Sequence, residues 1–385
     1  MRGLGFNNTR YDKDVWLRPS ECGTHYEYVC THSDDFMIAS RDAQSIMDGI
    51  KETYNVKSEG PPDYYLGNDF KRDKKGRWCF GCKRYIKEAI IRIEAMLGKI
   101  PKSTVPMAAS DHPEMDVTEV LDDDKHRQFQ MLIGILNWIV TIGRLDVAFA
   151  TMSLSRFSAC PRRGHLDRAI KVFGYLKKRP NRRICVDSRD PRLKGFESEL
   201  EKDFSKTLGQ EYPDSTEEIN AKLPSPKVGE ISITAFVDSD HAHDKVTRRS
   251  VTGLIILLGR TPIFFSSKRQ GAIETSTYGA EFCAMRTAVE ELISIRYMMR
   301  CLGVKVEHSS LLFGDNLGVV QNATMKESLL KKKHVAISYH KVREAAASGI
   351  VHPLKIDGKH NFADICTKAQ TNNVFHTLCG GVMYG

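Results

Sequence analysis

Alternating apolar and polar positions begin the C-terminal half of the chain. In residues 231–238, Ile231, Ile233, Ala235 and Val237 fall on one side of an extended chain, which predicts a β-strand with this face buried. Further strands are predicted at 253–258, 262–266, 311–314 and 351–356. Helices are predicted along the spacing of Phe282, Met285, Val289 and Leu292, near 336–347, and from about Phe362. The order β-β-β-α-β-α-β-α predicts an α/β domain, a mixed sheet with helices packed on it.

The N-terminal half contains shorter patterns of both kinds. Predicted strands at 26–29 and 36–39 flank a polar turn at 30–35, and an extended segment at 63–70 precedes a lysine-rich hairpin turn at 72–77. Helical periodicity is present at 43–54, 84–97, 125–157 and 165–178. This half is therefore predicted to be an α+β unit that ends in two strong helical segments.

The segment 187–230 differs from both halves in composition. It is rich in Ser, Pro and Gly and has eleven acidic and seven basic side chains, a net charge of −4 in a chain of +9. We therefore predict three parts in the 385 residues: 1–180, an acidic linker or exposed insertion at 187–230, and a domain at 231–385. The +13 outside the acidic segment favours a polyanionic partner, because clustered Lys and Arg release counterions from phosphates.

The cysteines and the apolar runs bear on the compartment. Ten cysteines without regular spacing argue against a disulfide scaffold and favour a reducing environment, with Cys79 and Cys82 as packed thiols rather than a zinc site. The longest apolar runs, 132–142 and 251–258, are too short to cross a bilayer, and the N-terminus lacks the apolar core of a secretory signal. We expect an intracellular protein, in a cytoplasmic particle or the nucleus, that is neither secreted nor in a membrane.

Four acidic residues stand where the predicted sheet could hold a metal. Asp238 ends the first strand, Glu281 lies early in the long helix, Asp315 ends the fourth strand and Asp364 opens the closing helix. Carboxylates at such positions can converge at one sheet edge, and oxygen ligands are those that Mg²⁺ prefers. Two such ions about 3.5–4 Å apart can activate a water and stabilise the leaving oxygen of a phosphodiester. On spacing alone, acids that only cap helices or end strands are the favoured interpretation.

The sequence around these acids resembles the ribonuclease H domain of copia-type LTR retrotransposons. The similar segments, all within 231–385, are AFVDSD, TRRSVTG, SSKRQ, STYGAEF, FGDNLGVV, KKKHVAISYHKVREA and NFADICTK. The resemblance implies a ribonuclease H-like mixed sheet with helices on both faces. It also implies that Asp238, Glu281, Asp315 and Asp364 are catalytic and hold two Mg²⁺ ions, with Mn²⁺ as an alternative, to cut the RNA strand of RNA–DNA hybrids.

Basic residues of the same segments are candidate contacts to nucleic acid, either the hybrid or a DNA or RNA duplex. They are Arg248, Arg249, Lys268, Arg269, Lys331, Lys332, Lys333, His334 and Arg343. A solvated basic face is the alternative interpretation, and packing or capping is as good an account of His334.

The first 180 residues resemble the C-terminal part of a copia-type reverse transcriptase, namely the end of the palm, the thumb and the connection. The resemblance lies in EYVCTHSDDFMIAS, PPDYYLGNDF, GILNWIVTIGRLDVAFATMSLSRFSACPRRGH and FGYLKKRP. It implies that Asp34 and Asp35 match two of the three metal-binding carboxylates of the polymerase. The third lies upstream in the family, beyond the thirty or so residues that precede this turn here, so we do not expect polymerase activity from this chain alone.

These observations leave more than one function open. The first is a retrotransposon-derived, Mg²⁺-dependent nuclease, and the alternative is a non-catalytic relic that binds nucleic acid through its basic surface. A DDE-type integrase has the same fold but places its glutamate last, whereas Glu281 comes second of the four acids here. The sequence leaves the oligomeric state open.

Overall fold

The computed structural model describes residues 1–57, 59–191, 195–328 and 335–385. The strands are β1 (Asn7–Asn8), β2 (Val15–Pro19), β3 (Tyr26–His32), β4 (Asp35–Ala39), β5 (Tyr64–Tyr65), β6 (Asn68–Arg72), β7 (Trp78–Gly81), β8 (Ile184–Cys185), β9 (Ile233–Asp240), β10 (Val251–Leu258), β11 (Thr261–Arg269), β12 (Ser310–Gly314) and β13 (Val351–Lys355). The α-helices are α1 (Ala43–Lys51), α2 (Lys83–Leu97), α3 (Asp123–Thr141), α4 (Ala148–Ser155), α5 (Arg163–Lys178), α6 (Glu197–Leu200), α7 (Phe204–Leu208), α8 (Thr277–Cys301), α9 (Leu317–Thr324), α10 (Ala336–Ala347) and α11 (Asn372–Val382).

Five strands of the C-terminal half form one mixed sheet in the order β11-β10-β9-β12-β13. The first three strands are antiparallel, whereas β12 runs parallel to both β9 and β13. Nearly every residue of β9 and β10 is buried, as expected for central strands covered on both faces. The predicted mixed sheet is confirmed.

Helices cover both faces of this sheet, also as predicted. On one face, Ala235 and Val237 pack with Phe282 and Met285 of α8, and this cluster extends to α9 and α10. On the other face, Phe236 belongs to a cluster that contains α11 and also residues of α2, α3, α4 and α5. The helical unit α2–α5 therefore shares a hydrophobic core with the sheet domain, across the boundary that composition suggested.

Two smaller sheets lie in the N-terminal half. β1–β4 form an antiparallel meander around a small core that includes Phe6 and Val29, and β5–β8 form a second antiparallel sheet. The hydroxyl of Tyr28 donates to the carbonyl of Leu302, which ties the meander to the end of α8.

A disulfide between Cys79 and Cys185 joins β7 to β8. The prediction that Cys79 is a packed thiol is therefore wrong, whereas Cys82 is a buried free thiol as expected. The partner cysteine lies 106 residues further along the chain, so only the tertiary fold brings the two together.

Two predicted helices are interrupted. The pattern at 125–157 forms α3 and α4, because Gly143 adopts φ 108° after the end of α3 and the buried pair Arg144 and Asp146 occupies the bend. The closing helix does not begin at Phe362; a 3₁₀ turn spans Phe362–Cys366, and α11 follows at Asn372.

The acidic segment is more than an exposed linker. Phe204 and Leu208 of α7 are buried in the core formed with α8 and α10. The carboxylate of Glu217 accepts hydrogen bonds of 2.7–2.8 Å from both Arg296 and Arg300 of α8. The prediction of a linker missed these contacts, since composition does not show which charges find partners.

None of the helices in the described ranges is both long enough and apolar enough to cross a membrane.

Candidate active site

Parallel pairing brings two of the predicted carboxylates to one edge of the five-stranded sheet. Asp238 lies near the end of the central strand β9, and Asp315 directly follows β12. Because β9 and β12 are parallel neighbours, their carboxyl ends meet at the same edge. The side chain of Asp238 is buried and that of Asp315 is half-buried.

Glu281 reaches this edge from the second turn of α8. Ser276 caps the helix by accepting a hydrogen bond of 3.2 Å from the backbone N–H of Gly279, which fixes where α8 begins. Side-chain oxygens of Asp238, Glu281 and Asp315 all lie within 4.8 Å of one another. Three of the four predicted acids therefore form one cluster.

The 3₁₀ turn that carries Asp364 is tied to β9. The buried Asn361 accepts a hydrogen bond from the N–H of Ala363 and donates one of 2.9 Å to the carbonyl of Val237, the residue before Asp238. Asp364 is buried beside the cluster. This turn, rather than a helix start, places the fourth acid.

A glycine on β10 allows this close approach. Gly253 lies directly opposite Asp238 in the antiparallel pair of β9 and β10. A Cβ atom at Gly253 would lie 2.5 Å from Cγ2 of Thr367 and 2.6 Å from the carbonyl oxygen of Ala363. The segment that carries Asp364 can therefore pack against β10 because Gly253 has no side chain.

Two residues that sequence analysis missed contact the acids directly. The hydroxyl of Thr367 donates a hydrogen bond of 2.5 Å to Oδ2 of Asp238. The Nζ atom of Lys368 lies 2.9 Å from Oδ1 of Asp364 and 3.6 Å from Oδ2 of Asp238. Both stand in the NFADICTK segment, and the spacing of four residues from Asp364 was the available signal for Lys368.

Crowded, buried carboxylates hold protons unusually tightly here. Burial raises the pKa of Glu281 to about 9, and the charges of Asp238 and Asp315 add to the rise. Burial and then Asp238 raise the pKa of Asp364 to about 7 and shift that of Asp315 upward as well. Burial lowers the pKa of Lys368, but the charges of Asp238 and Asp364 more than offset this and leave it raised.

The donor set fits a divalent cation. Every ligand that the cluster offers is a carboxylate oxygen, the donor that Mg²⁺ and Mn²⁺ favour. A cation would also relieve the repulsion that raises these pKa values. The cluster can therefore bind a divalent cation at the buried edge of the sheet.

The raised pKa of Glu281 predicts that stability without divalent cations falls with rising pH. The folded chain keeps the proton up to about pH 9, whereas the unfolded chain loses it near 4.5, so the stabilisation is complete below about pH 4.5 and is lost towards pH 9. Glu281→Gln cannot ionise and should flatten this fall in melting temperature, measured at pH 5, 7 and 9 with EDTA, by about 1–2 °C per kcal/mol of repulsion removed. Glu344→Gln, at an exposed position on α10, is the control. Equal falls in both variants would contradict the prediction.

The predicted nucleic-acid contacts lie in different surroundings. Arg248 and Lys268 are exposed near the same sheet edge, whereas Arg249 and Arg269 are half-buried. Lys331, Lys332, Lys333 and His334 fall outside the described residues.

The prediction that Arg343 contacts nucleic acid is wrong. Its side chain is buried on α10 and donates hydrogen bonds of 2.7–2.8 Å to the carbonyls of Asn322 and Met325. It also pairs with Glu211 of the acidic segment at 2.5 Å, so its charge is used within the fold.

Asp34 and Asp35 lie exposed at the tip of the β3–β4 hairpin. Across the described ranges, no third Asp, Glu, His or Cys comes close enough to complete a three-ligand group with them. The hairpin predicted around the polar turn is present; its first strand extends three residues further into the turn than expected and its second strand one residue further.

The relatives of this chain are Pol polyproteins from copia-type transposons. "Retrovirus-related Pol polyprotein from transposon RE1" of Arabidopsis thaliana is 24% identical over 385 residues, which covers 98% of this chain and 23% of that protein. The corresponding protein from transposon TNT 1-94 of Nicotiana tabacum is 23% identical over 389 residues, with 98% and 26% covered. The chain thus spans about a quarter of the length of these relatives.

Comparison with solved structures gives partial superpositions on ribonucleases H. LC11-RNase H1, solved in complex with RNA/DNA hybrid, superposes with a TM-score of 0.29 and 17% identity over 35% of this chain and 94% of its own. The N-terminal RNase H domain of a Mycobacterium tuberculosis protein gives a TM-score of 0.27 and 12% identity over 40% and 97%. No protein-family model matches the chain.

Proposed function

We propose that this retrotransposon-derived chain is a metal-dependent endonuclease that cuts the RNA strand of RNA–DNA hybrids. The observation that carries the proposal is the cluster of the buried Asp238 and Glu281 with the half-buried Asp315, and the buried Asp364 beside it. Homology to Pol polyproteins along 98% of the chain supports the same conclusion. We also propose that the protein acts inside the cell, in a cytoplasmic particle or the nucleus.

The chemistry divides between the ions and the protein. Two Mg²⁺ ions, or Mn²⁺ in their place, would supply an activated water and charge stabilisation at the leaving oxygen when bound. Asp238, Glu281, Asp315 and Asp364 would hold them through carboxylate oxygens. Attack of the water on phosphorus would break the bond to the 3′ oxygen and leave a 3′ hydroxyl and a 5′ phosphate.

Several side chains would orient the site without ligating an ion. Thr367 donates a hydrogen bond to Oδ2 of Asp238 and so fixes the orientation of this carboxylate. The exposed side chains of Arg248 and Lys268 would contact phosphates of the bound strand near the same edge. Phosphate contacts of this type set the register of a duplex on a protein rather than its sequence preference.

The polymerase site is a weaker proposal. Asp34 and Asp35 would form part of a second, remnant metal site only if other carboxylates join them, and the described residues bring none close. We therefore assign no polymerase activity to this chain.

Cleavage of end-labelled substrates tests the proposal. The full chain is incubated with Mg²⁺ and with an RNA–DNA hybrid, a DNA duplex or an RNA duplex, all of the same sequence. We expect cuts in the RNA strand of the hybrid only, abolished by EDTA. Binding of the hybrid without any cutting would favour the non-catalytic alternative, and joining of DNA ends would favour an integrase.

A further inference from the structure

The loop between β9 and β10 is built around one buried carboxylate. Asp244 is fully buried, and its Oδ1 accepts hydrogen bonds of 3.0 and 2.8 Å from the N–H groups of Val246 and Thr247. Its backbone carbonyl accepts from the N–H of Arg248 at 2.8 Å, and its own N–H donates to the carbonyl of Arg249 at 3.2 Å. Four hydrogen bonds within the loop therefore converge on this one residue.

The charge of Asp244 is balanced from outside the loop. Its Oδ2 accepts a hydrogen bond from Nη2 of Arg156, at the end of α4, and lies 3.4 Å from Nη1 of Arg269 on β11. The helical unit thus supplies the main counter-charge for a loop of the sheet domain.

Two further contacts join the loop to the helical unit. The N–H of Lys245 donates a hydrogen bond of 3.0 Å to Glu114, in the 3₁₀ turn Pro113–Met115. The ring of His243 packs against Phe149 of α4 and His112, with centroids 5.3 and 5.5 Å away. The loop is therefore held from one side by residues that precede the sheet in the chain.

The exposed side of this loop is basic and borders the carboxylate cluster. Lys245 and Arg248 are exposed, and the loop leaves β9 only two residues after Asp238. Arg248 adopts φ 58°, a left-handed conformation that costs a non-glycine residue about 1 kcal/mol. The loop thus holds the side chain of Arg248, in a strained backbone conformation, at the sheet edge where the phosphate backbone of a nucleic acid would lie.

We infer that Asp244 is a positioning residue for nucleic-acid binding, and that Arg156 locks it so that α4 controls how the sheet domain holds its substrate. The inference rests on the proposed function for the identity of that substrate. With Asp244 locked, Lys245 and Arg248 are pre-organised to contact phosphates of one strand. Without it, the loop loses its central acceptor and these cations lose their fixed places.

The first test compares two buried aspartates with similar surroundings. Asp244→Asn keeps the shape but loses the charge that holds Arg156. Asp187→Asn is the matched control, because Asp187 is also buried and paired with two arginines, Arg77 and Arg189, but contacts the β10–β11 turn at the opposite end of the sheet.

We expect Asp244→Asn to raise the KM for an RNA–DNA hybrid about 10-fold with kcat within about 2-fold. It should also reduce the slope of log Kd against log salt by about 1, which corresponds to the loss of one phosphate contact. Asp187→Asn should lower the melting temperature and leave KM and the salt slope unchanged. Asp244→Asn with a lowered melting temperature and an unchanged KM and slope would overturn the inference, since the residue would then be structural only.

A double-mutant cycle tests the part of Arg156. Arg156→Gln alone should raise KM as Asp244→Asn does, and the double variant should be no worse than either single one, because both break the same contact. Additive effects would show that Arg156 contacts the nucleic acid itself, which would overturn its assignment as the lock.

Binding of a fluorescent hybrid in Ca²⁺, without cleavage, separates this inference from the proposed function. If the wild-type chain binds the hybrid but does not cut it with Mg²⁺, the nuclease proposal fails. A smaller slope of log Kd against log salt for Asp244→Asn would still support the role of the loop in nucleic-acid binding. If the wild-type chain cuts, and Asp244→Asn and Arg156→Gln bind the hybrid as tightly as the wild-type chain, the nuclease proposal stands and the inference fails. A wild-type chain that binds no hybrid overturns both.

Discussion

Replacement of Asp238 by asparagine is expected to reduce Mg²⁺-dependent cleavage of an RNA–DNA hybrid by about 1,000-fold or more, about 4 kcal/mol in activation free energy. Asp238 lies on the central strand, and one of its oxygens lies within 4.8 Å of an oxygen of Glu281 and of an oxygen of Asp315. It is thus the ligand best placed to be shared by two ions. The substitution keeps the volume of the side chain and removes one like charge from the cluster, so the fold should be retained.

The measurement is the initial cleavage rate together with the melting temperature with and without Mg²⁺. Mg²⁺ should raise the melting temperature of the wild-type chain, because a ligand that binds only the folded state stabilises it, and should do so far less for Asp238→Asn. Asp357→Asn is the control, since Asp357 is an exposed acid in the loop after β13. A variant at Asp238 that cuts at the wild-type rate would refute the assignment of this cluster as the active site.

Gly253→Ala is expected to reduce cleavage by about 100-fold and to destabilise the protein by about 2–3 kcal/mol. The added Cβ would lie 2.6 Å from a backbone carbonyl oxygen, that of Ala363, and backbone cannot move aside as cheaply as a flexible side chain. The 3₁₀ turn must then shift away from β10 and carry Asp364 with it. Activity should therefore fall even in molecules that remain folded.

Gly134→Ala provides the matched control for this prediction. Gly134 lies within α3, and a Cβ there would meet no atom within 4 Å, so alanine should stabilise that helix by about 0.5–1 kcal/mol. Urea unfolding and hybrid cleavage are measured for both variants. Wild-type cleavage by Gly253→Ala would show that Asp364 does not depend on the contact between this turn and β10.

The order of elements in the sheet domain could be predicted because the spacing of apolar residues within each strand and helix shows which face is buried. The alternation at 231–238 and the spacing of Phe282, Met285 and Val289 are local signals, and both led to the observed elements. That Asp238 and Asp315 share one site was implied by the resemblance of the surrounding segments rather than by spacing, and the parallel pairing of β9 and β12 brings the two acids to the same edge.

Contacts between residues that are far apart in the sequence produce no such local pattern. The spacing of four residues could have paired Lys368 with Asp364, but only the folded chain brings Lys368 within 3.6 Å of Asp238. The burial of Arg343 depends on a carboxylate more than 130 residues earlier, Glu211. The sequence shows which side chains are basic. Only the tertiary structure shows whether such a side chain is already paired with an acid inside the fold.

Anomalous scattering from crystals of the full chain grown with Mn²⁺ is the most direct measurement of the metal site. We expect two peaks about 3.5–4 Å apart at the carboxyl ends of β9 and β12, both within bonding distance of Asp238 and shared among Glu281, Asp315 and Asp364. Both peaks should disappear or weaken in Asp238→Asn. Crystals with Mn²⁺ bound only elsewhere, or with these four carboxylates free of metal, would contradict the proposed two-metal nuclease.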